Sequence, residues 1–372
     1  MYNMAMNHLA LYRKYRPRTF DEVIGQEHIT KTLANQIISD KLSHAYLFTG
    51  SRGTGKTSVA KIFAKAVNCL NPQNGSPCFK CDSCQNLAQE NDINIIEIDA
   101  ASNNRVDDVR ELREKVKFAP IGAKYKVYII DEVHMLSDSA FNALLKTLEE
   151  PPKYVIFILA TTEVHKLPAT ILSRCTRFDF RLVSNENLVK LLKKVFDSEG
   201  IEADNESLKL IAAAGEGSAR DTLSIADSIN AYAGGKITKE DVLKVLGTTD
   251  HEMLLNLFDK IIDKDIGGLL TQINEIDASG KNLAVLAKDC ALHARNLLVC
   301  ANCARPEEIL SLPSEVLEKY IEQAKRAGDK NLIFYMQNFS SCESELRYSL
   351  STRLLLESVA ISCVSGETVK KN

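Results

Sequence analysis

No run of apolar residues approaches the length of a membrane span, so no transmembrane helix is expected. The first residues, Met1-Tyr2-Asn3-Met4, lack a basic segment followed by an apolar core, and no signal peptide is expected. An excess of one charge is also missing. The 46 Lys and Arg against 49 Asp and Glu leave a net charge of −3. That argues against a surface that binds nucleic acid everywhere, while a local basic path stays open. Internal repeats and low-complexity segments are absent. What remains is an ordinary globular composition, 45% hydrophobic and 26% charged, over 372 residues, long enough for two or three domains.

Cysteine is not scarce. There are ten, and four of them, Cys69, Cys78, Cys81 and Cys84, follow the spacing C-x8-C-x2-C-x2-C in a stretch rich in Asn, Pro and Gly. Four thiolates in this pattern suit tetrahedral Zn²⁺. They would leave no open position, and nothing nearby looks catalytic, so a structural zinc stapling a small module at about 66–92 is expected. Such clustering argues for metal in a reducing compartment and against a disulfide framework. Cys175, Cys290, Cys300, Cys303, Cys342 and Cys363 are scattered. Cys300-x-x-Cys303 reads as two packed thiols on a helix.

Gly50-Ser51-Arg52-Gly53-Thr54-Gly55-Lys56-Thr57 fits G-x-x-x-x-G-K-[ST] at every fixed position. Apolar Ala45-Tyr46-Leu47-Phe48 before it reads as a buried strand, and Ser58 to Lys65 after it as a helix. Glycines let the backbone curl so that N–H groups converge on phosphate oxygens, and the helix N-terminus adds its positive end. Lys56 can reach the β- and γ-phosphates, and the Thr57 hydroxyl can hold Mg²⁺.

Around this loop the chain alternates strand and helix. Residues 1–24 carry Arg13, Lys14, Arg16 and Arg18 around Tyr12, Tyr15 and Pro17 and read as a basic surface arm. A helix-like segment opens at Gly25-Gln26. Ile93–Asp99 is a strand candidate, Val106–Val116 looks helical, and Lys126–Ile130 is a second buried strand ending on Asp131-Glu132. Ser139–Glu149 is an amphipathic helix stopped by Pro151-Pro152. Tyr154–Ala160 is a third strand ending on Thr161-Thr162, and Arg177–Phe180 a short fourth. Repeated strand–helix units imply a parallel sheet with chemistry at the carboxyl ends of its strands. After about Leu182 the strands are expected to stop. Short helices follow over 183–247, and longer ones over 248–364 with Leu254, Leu257, Phe258, Ile261 and Ile262 as one apolar stripe. Asn331–Val364 fits either one long helix or two.

Asp131 ends an apolar strand, where it can hold Mg²⁺ through water. Glu132 can then face the γ-phosphate and polarise an attacking water. At Thr161-Thr162 a hydroxyl could read the γ-phosphate or merely cap the strand. Arg174, in Ser173-Arg174-Cys175, and Arg220, in Gly217-Ser218-Ala219-Arg220-Asp221, each sit in a polar turn or helix start. Guanidinium groups stabilise the charge that phosphoryl transfer spreads over the γ-oxygens, although bare sequence reads either arginine as solvated or salt-bridged.

With these residues in hand, the chain closely resembles the gamma/tau subunits of bacterial DNA polymerase III, the ATPase motors of the sliding-clamp loader in the AAA+ superfamily. The marks are Tyr15-Arg16-Pro17 with Phe20, Val23-Ile24-Gly25-Gln26, His44–Phe48 into the loop, the four cysteines, Glu97–Ser102, Asp131–Leu136, Asn142–Pro152, Leu159–Glu163, Leu172–Cys175 and Gly217–Asp221. The resemblance implies an α/β P-loop AAA+ domain over 1–182, a parallel sheet flanked by helices that carries the zinc module. An all-α lid over 183–247, an all-α collar over 248–366 and a tail or linker start at 367–372 would follow. It implies ATP, Mg²⁺ and structural Zn²⁺. It gives Thr162 the sensor-1 position, Arg174 the arginine finger reaching a neighbour's ATP, and Arg220 the sensor-2 arginine. Tyr15, Arg16 and Pro17 match the adenine side of the pocket, and Arg105 and Lys146 are candidates for DNA phosphate contact. The implied partners are delta and delta-prime subunits, other gamma/tau copies, the beta clamp and primer–template DNA, in the bacterial cytoplasm. No polymerase active site is present, so a polymerase label would belong to the holoenzyme, and the polymerase- and helicase-binding regions of a full tau product are expected to be missing. Intact Lys56, Asp131 and Glu132 argue against the non-hydrolysing delta-prime relative. Another AAA+ motor, a nucleotide-binding scaffold without turnover and a zinc-finger DNA reader are the rival readings. Lys80 is the only basic residue between Cys78 and Cys84, which speaks against the last.

Overall fold

The computed structural model describes residues 9–86, 93–102, 111–112, 114–246, 251–278, 282–310, 312, 314–346 and 351–366. They fall into two compact units, Met1–Leu246 and Gly247–Asn372.

The first unit is built on five strands: β1 (Ala45–Thr49), β2 (Ile95–Asp99), β3 (Lys126–Asp131), β4 (Val155–Thr161) and β5 (Thr176–Asp179). All neighbours are parallel, in the order β2-β3-β4-β1-β5. The strand that feeds the phosphate loop therefore lies in the interior, between β4 and β5. Its five residues are all buried, as are the seven of β4. A parallel strand covered on both faces needs an unbroken apolar run, which is what these segments carry.

Side chains alternate into two cores. Tyr46, Phe48, Ile129 and Ile158 pack with Ile29 and Leu33 of helix α1 (Glu27–Ile38) and with Val59 and Phe63 of helix α2 (Lys56–Val67). Leu47, Tyr128, Ile130, Phe157 and Leu159 pack on the other face with Phe141, Leu144 and Leu148 of helix α3 (Asp138–Glu149). The register sets Thr49 beside both Thr161 and Asp179, and Asp131 beside Asp99. The polar ends of the strands are thus drawn up along one edge of an otherwise apolar sheet.

Four longer helices follow the sheet: α4 (Asn185–Glu199), α5 (Asn205–Ala214), α6 (Ala219–Ala233) and α7 (Lys239–Leu246). Their starts follow capping chemistry. Ser184, Asp204 and Ser218 each accept an N–H from the residue three further on. Gly200 and Gly234 end α4 and α6 with φ of +68° and +69°. Strand structure does not stop at Leu182, as the sequence had indicated. β6 (Glu202–Ala203) and β7 (Lys236–Ile237) pair in parallel, because two helix-to-helix connections run side by side and satisfy each other's backbone.

Among its described residues the second unit is helical: α8 (His251–Ile262), α9 (Ile266–Ala278), α10 (Leu283–Asn302), α11 (Ser314–Ala327), α12 (Asp329–Leu346) and α13 (Thr352–Ser365). The stripe Leu254, Leu257, Phe258 and Ile261 is buried, with Ile262 partly so. Within Asn331–Val364 the described residues form two helices, up to Leu346 and from Thr352. Cys300 sits on α10, but Cys303 is the residue that caps its end. His293, 1% exposed, lies between Tyr320 Oη at 2.9 Å and Gln323 Oε1 at 2.7 Å. Gln323 donates onward to Leu255 O at 2.7 Å and Asp259 Oδ1 at 2.9 Å, joining α8, α10 and α11 through their interior.

Candidate nucleotide site and cysteine cluster

The loop between β1 and α2 holds Gly50, Gly53 and Gly55 at φ of +141°, +74° and +105°. Two of these glycines are also needed for close approach. A Cβ on Gly50 would stand 2.4 Å from Phe180 O, and one on Gly53 only 1.9 Å from Ser218 Oγ. Thr54 is buried and its hydroxyl donates to Ser51 O at 2.8 Å, while Ser51 and Arg52 are exposed. Lys56 is 5% exposed and donates to Gly50 O at 2.7 Å and Ser51 O at 2.9 Å. Burial lowers its pKa, and the nearby carboxylates Glu132 and Asp131 oppose that shift. The ammonium is therefore folded into the mouth of the loop, against two of its carbonyls.

Thr57 Oγ1 donates to Asp131 Oδ2 at 2.6 Å. A hydroxyl and a carboxylate so placed are two oxygen ligands of the kind Mg²⁺ takes beside a phosphate. Glu132 lies just past β3 in a left-handed conformation, φ +47°. It is not a simple strand neighbour of Asp131, and its carboxylate swings to the end of β4. There Oε2 accepts Thr162 Oγ1 at 3.1 Å and Thr162 N at 3.3 Å. Thr161 does something different: fully buried, its hydroxyl meets His134 Nδ1 at 2.9 Å.

The other residues singled out by sequence distribute as follows. Arg220 is exposed at the start of α6, with its guanidinium 5.1 Å from the Tyr12 ring centroid, and its Cβ comes within 3.3 Å of where a Gly53 Cβ would be. It stands against the phosphate loop. Arg174 is half-buried, donating to Thr170 O at 2.8 Å and Glu149 Oε1 at 2.9 Å. Arg16 Nε donates to Ser58 Oγ at 3.1 Å, beside the loop. The Tyr15 hydroxyl instead donates to Glu199, and its ring packs against the core of the four-helix region, with Pro17 half-buried nearby in sequence. Lys146 is exposed on α3, and Arg105 lies outside the described residues.

Three residues of the site carried no role in the sequence reading. Gln26, fully buried, donates to Thr54 O and Arg181 O at 3.3 and 2.7 Å and accepts Arg181 N at 3.2 Å, stapling the loop to the segment after β5. Ser218 caps α6 and touches Gly53. His134 links the ends of β3 and β4. A polar residue opening a helix was the available signal for Gln26 and Ser218, and His134 offered none.

Cys69, Cys78, Cys81 and Cys84 converge, their sulfurs all within 4.8 Å of one another. Cys69–Cys81 and Cys78–Cys84 stand at 3.9 and 4.0 Å. Four thiolates around one zinc at ~2.3 Å would sit about 3.8 Å apart, so the set fits a tetrahedral metal. N–H groups of Cys78, Cys81 and Cys84 donate to the sulfurs of Cys69, Cys78 and Cys81. Backbone N–H groups of Lys80 and Cys81 draw the Cys78 thiol down to about 6, while burial pushes Cys69 and Cys84 up. The module is anchored by Asn68, which exchanges bonds with Tyr125 N and O at 2.7 and 3.0 Å, and by Ser83 Oγ on Asn68 O at 2.6 Å.

Comparison with known proteins identifies the family. The family model for DNA polymerase III, delta subunit, matches residues 25–184. That for the DNA polymerase III clamp loader subunit, ATPase lid domain, matches 187–235, and that for DNA polymerase III subunits gamma and tau domain III matches 237–368. DNA polymerase III subunit tau of Bacillus subtilis is 44% identical over 95% of this chain and 62% of its own length. Subunit gamma/tau of Mycobacterium bovis is 39% identical over 94% and 62%. Subunit gamma of Buchnera aphidicola is 40% identical over 74% of this chain and 76% of its own. The chain thus spans 62% of the length of the first two relatives. A parallel P-loop sheet with a helical lid is the AAA+ architecture, nucleotide and Mg²⁺ are its implied ligands, and the chain belongs to the gamma/tau family of DNA polymerase III subunits.

Proposed function

We propose that this chain is the ATP-hydrolysing motor of a bacterial sliding-clamp loader, acting in the cytoplasm. Its partners would be delta and delta-prime subunits, further copies of gamma/tau, the beta clamp and primer–template DNA. The observation that carries the reading is the pairing of Thr57 with Asp131 at 2.6 Å beneath a glycine loop that holds Lys56, with Glu132 and Thr162 joined next to it. A scaffold that only binds nucleotide has no need of the second carboxylate.

The residues divide the work. Gly50 to Gly55 turn main-chain N–H groups toward the phosphates, and Lys56 leaves the loop carbonyls for the β- and γ-oxygens. Thr57 and Asp131 would hold Mg²⁺, which neutralises charge on those oxygens when bound. Glu132 orients and deprotonates the attacking water, and Thr162 holds Glu132 until the γ-phosphate is in place. Arg220 meets the γ-phosphate in its own subunit, and Arg174 reaches that of the neighbour, exchanging its bond to Glu149 for the phosphate. Tyr15, Arg16 and Pro17 would flank the base, and Arg105 and Lys146 are candidates for contact with DNA phosphates. Cys69, Cys78, Cys81 and Cys84 would hold a structural zinc that fixes the module between α2 and β2. ATP binding between subunits would hold the clamp open, and hydrolysis on primed DNA would release it closed.

ATP turnover of the chain assembled with delta and delta-prime, with and without clamp and primed DNA, tests this. Stimulated turnover that Glu132→Gln abolishes while ATP binding persists is expected, as is loss of ATP uptake in Lys56→Ala. ATP binding without turnover in the full assembly would favour the scaffold.

A further inference from the structure

We propose that His134 is a positioning residue of the ATP site, holding the ends of β3 and β4 in the spacing that aims Glu132. The inference rests on the reading of Glu132 as the group that handles the attacking water. His134 follows that residue by two positions, in a 3-10 turn over Val133–Met135. Its side chain is only 6% exposed, and every polar atom it offers meets the site. Nδ1 lies 2.9 Å from Thr161 Oγ1 and 3.5 Å from Glu132 Oε2, and Nε2 lies 3.3 Å from Glu163 Oε1. Thr161 and Glu163 flank Thr162, the residue that donates twice to Glu132.

A carboxylate only accepts, so a hydrogen on Nε2 points at Glu163. Thr161 Oγ1 accepts Glu163 N at 3.0 Å, so its own hydrogen can point at Nδ1. The tautomer with hydrogen on Nε2 is compatible with both contacts. One imidazole thus ties β4 at two points on either side of Thr162, from a turn rooted in β3. The backbone makes this necessary. Glu132 is a left-handed non-glycine residue at φ +47°, where strand geometry no longer sets the side-chain direction. Without the ring, the β3 turn and the β4 end keep the two Glu132–Thr162 bonds but lose their ties through Thr161 and Glu163, so the aim of Glu132 toward the phosphate is less firmly held. Both ring nitrogens of His134 face protein groups. Its effect is on the rate of hydrolysis and not on ATP affinity.

The test is steady-state ATPase of the full chain assembled with delta and delta-prime, clamp and primed DNA, alongside ATP affinity and thermal midpoint. His134→Ala should lower kcat about tenfold or more, with KM and ATP affinity within twofold of the wild type. His134→Asn sets an amide near the Nδ1 position, within reach of Thr161, and should restore most of the rate. His134→Gln extends past that position toward Glu163 and should restore less. Unchanged kcat in His134→Ala overturns the proposal, as does equal recovery by Asn and Gln, or a loss of ATP affinity that matches the loss of rate. Should His134→Ala not fold, the Asn and Gln pair decides alone. Glu132→Gln runs in parallel: if it keeps turnover, the assignment of Glu132 is at fault, whereas an inactive Glu132→Gln beside a fully active His134→Ala removes this inference only.

Discussion

Gly53→Ala probes the contact between the phosphate loop and helix α6. The added Cβ would be built on a backbone at φ +74°, which costs a non-glycine residue about 1–2 kcal/mol. It would also stand 1.9 Å from Ser218 Oγ, so that hydroxyl must turn away. Ser218 Oγ accepts Asp221 N at 3.1 Å as the cap of α6, and losing such a cap costs about 1 kcal/mol. The two effects sum to about 2–3 kcal/mol of destabilisation in the first unit. ATP affinity should fall with it, because the loop N–H groups and Arg220 share the displaced contact. Urea unfolding and ATP titration measure both. The double variant Gly53→Ala/Ser218→Gly separates the causes: glycine at the cap costs only a few tenths of a kcal/mol and removes the obstructing hydroxyl, so about 1 kcal/mol should return. A single variant within about 0.5 kcal/mol of the wild type, the range of ordinary surface changes, would refute the argument. A double variant less stable than the single would do the same.

Arg174→Ala should leave ATP binding by the isolated chain intact and cut DNA-stimulated turnover in the assembled ring, by on the order of a thousandfold if it acts as a finger in trans. Equal loss of binding in the isolated chain would count against that role. Purified chain should carry one zinc by elemental analysis, and Cys81→Ser should lose it together with protease resistance around 69–86; a metal-free wild type with the same resistance contradicts the zinc assignment. In the second unit, Gln323→Leu removes the acceptor facing His293 Nε2 and the side-chain donor to Leu255 O, whose helix bond remains, and calorimetry should show a drop of about 1–3 kcal/mol. The Ser207 N–H holds the Asp204 carboxyl below the usual carboxylate range. With the folded value below the unfolded one, its stabilisation is complete at neutral pH and is lost as pH falls through the lowered value. Asp204→Ala should cost about 1 kcal/mol at pH 7 and flatten that acid limb in urea midpoints measured against pH.

The local sequence determined whatever depends on neighbours along the chain. The glycine spacing dictates a loop that turns its amides inward, the apolar runs before and after it dictate buried parallel strands, and three cysteines at intervals of three bring their sulfurs to one turn. Ser184, Asp204 and Ser218 mark helix starts because a side-chain oxygen reaches the N–H three residues on. Tertiary structure alone decided which strand ends would meet. Thr57 and Asp131 are 74 residues apart and Gln26 and Arg181 are 155 apart, and no periodicity encodes those pairs. They exist because β1 lies between β4 and β5, which lines up the polar ends of separate strands on one edge. The same order brings His134 to Thr161 and turns Glu132 toward Thr162 through a left-handed residue that strand alternation does not foresee. Hydrophobic pattern chooses the face a side chain buries; the order of the strands chooses its company.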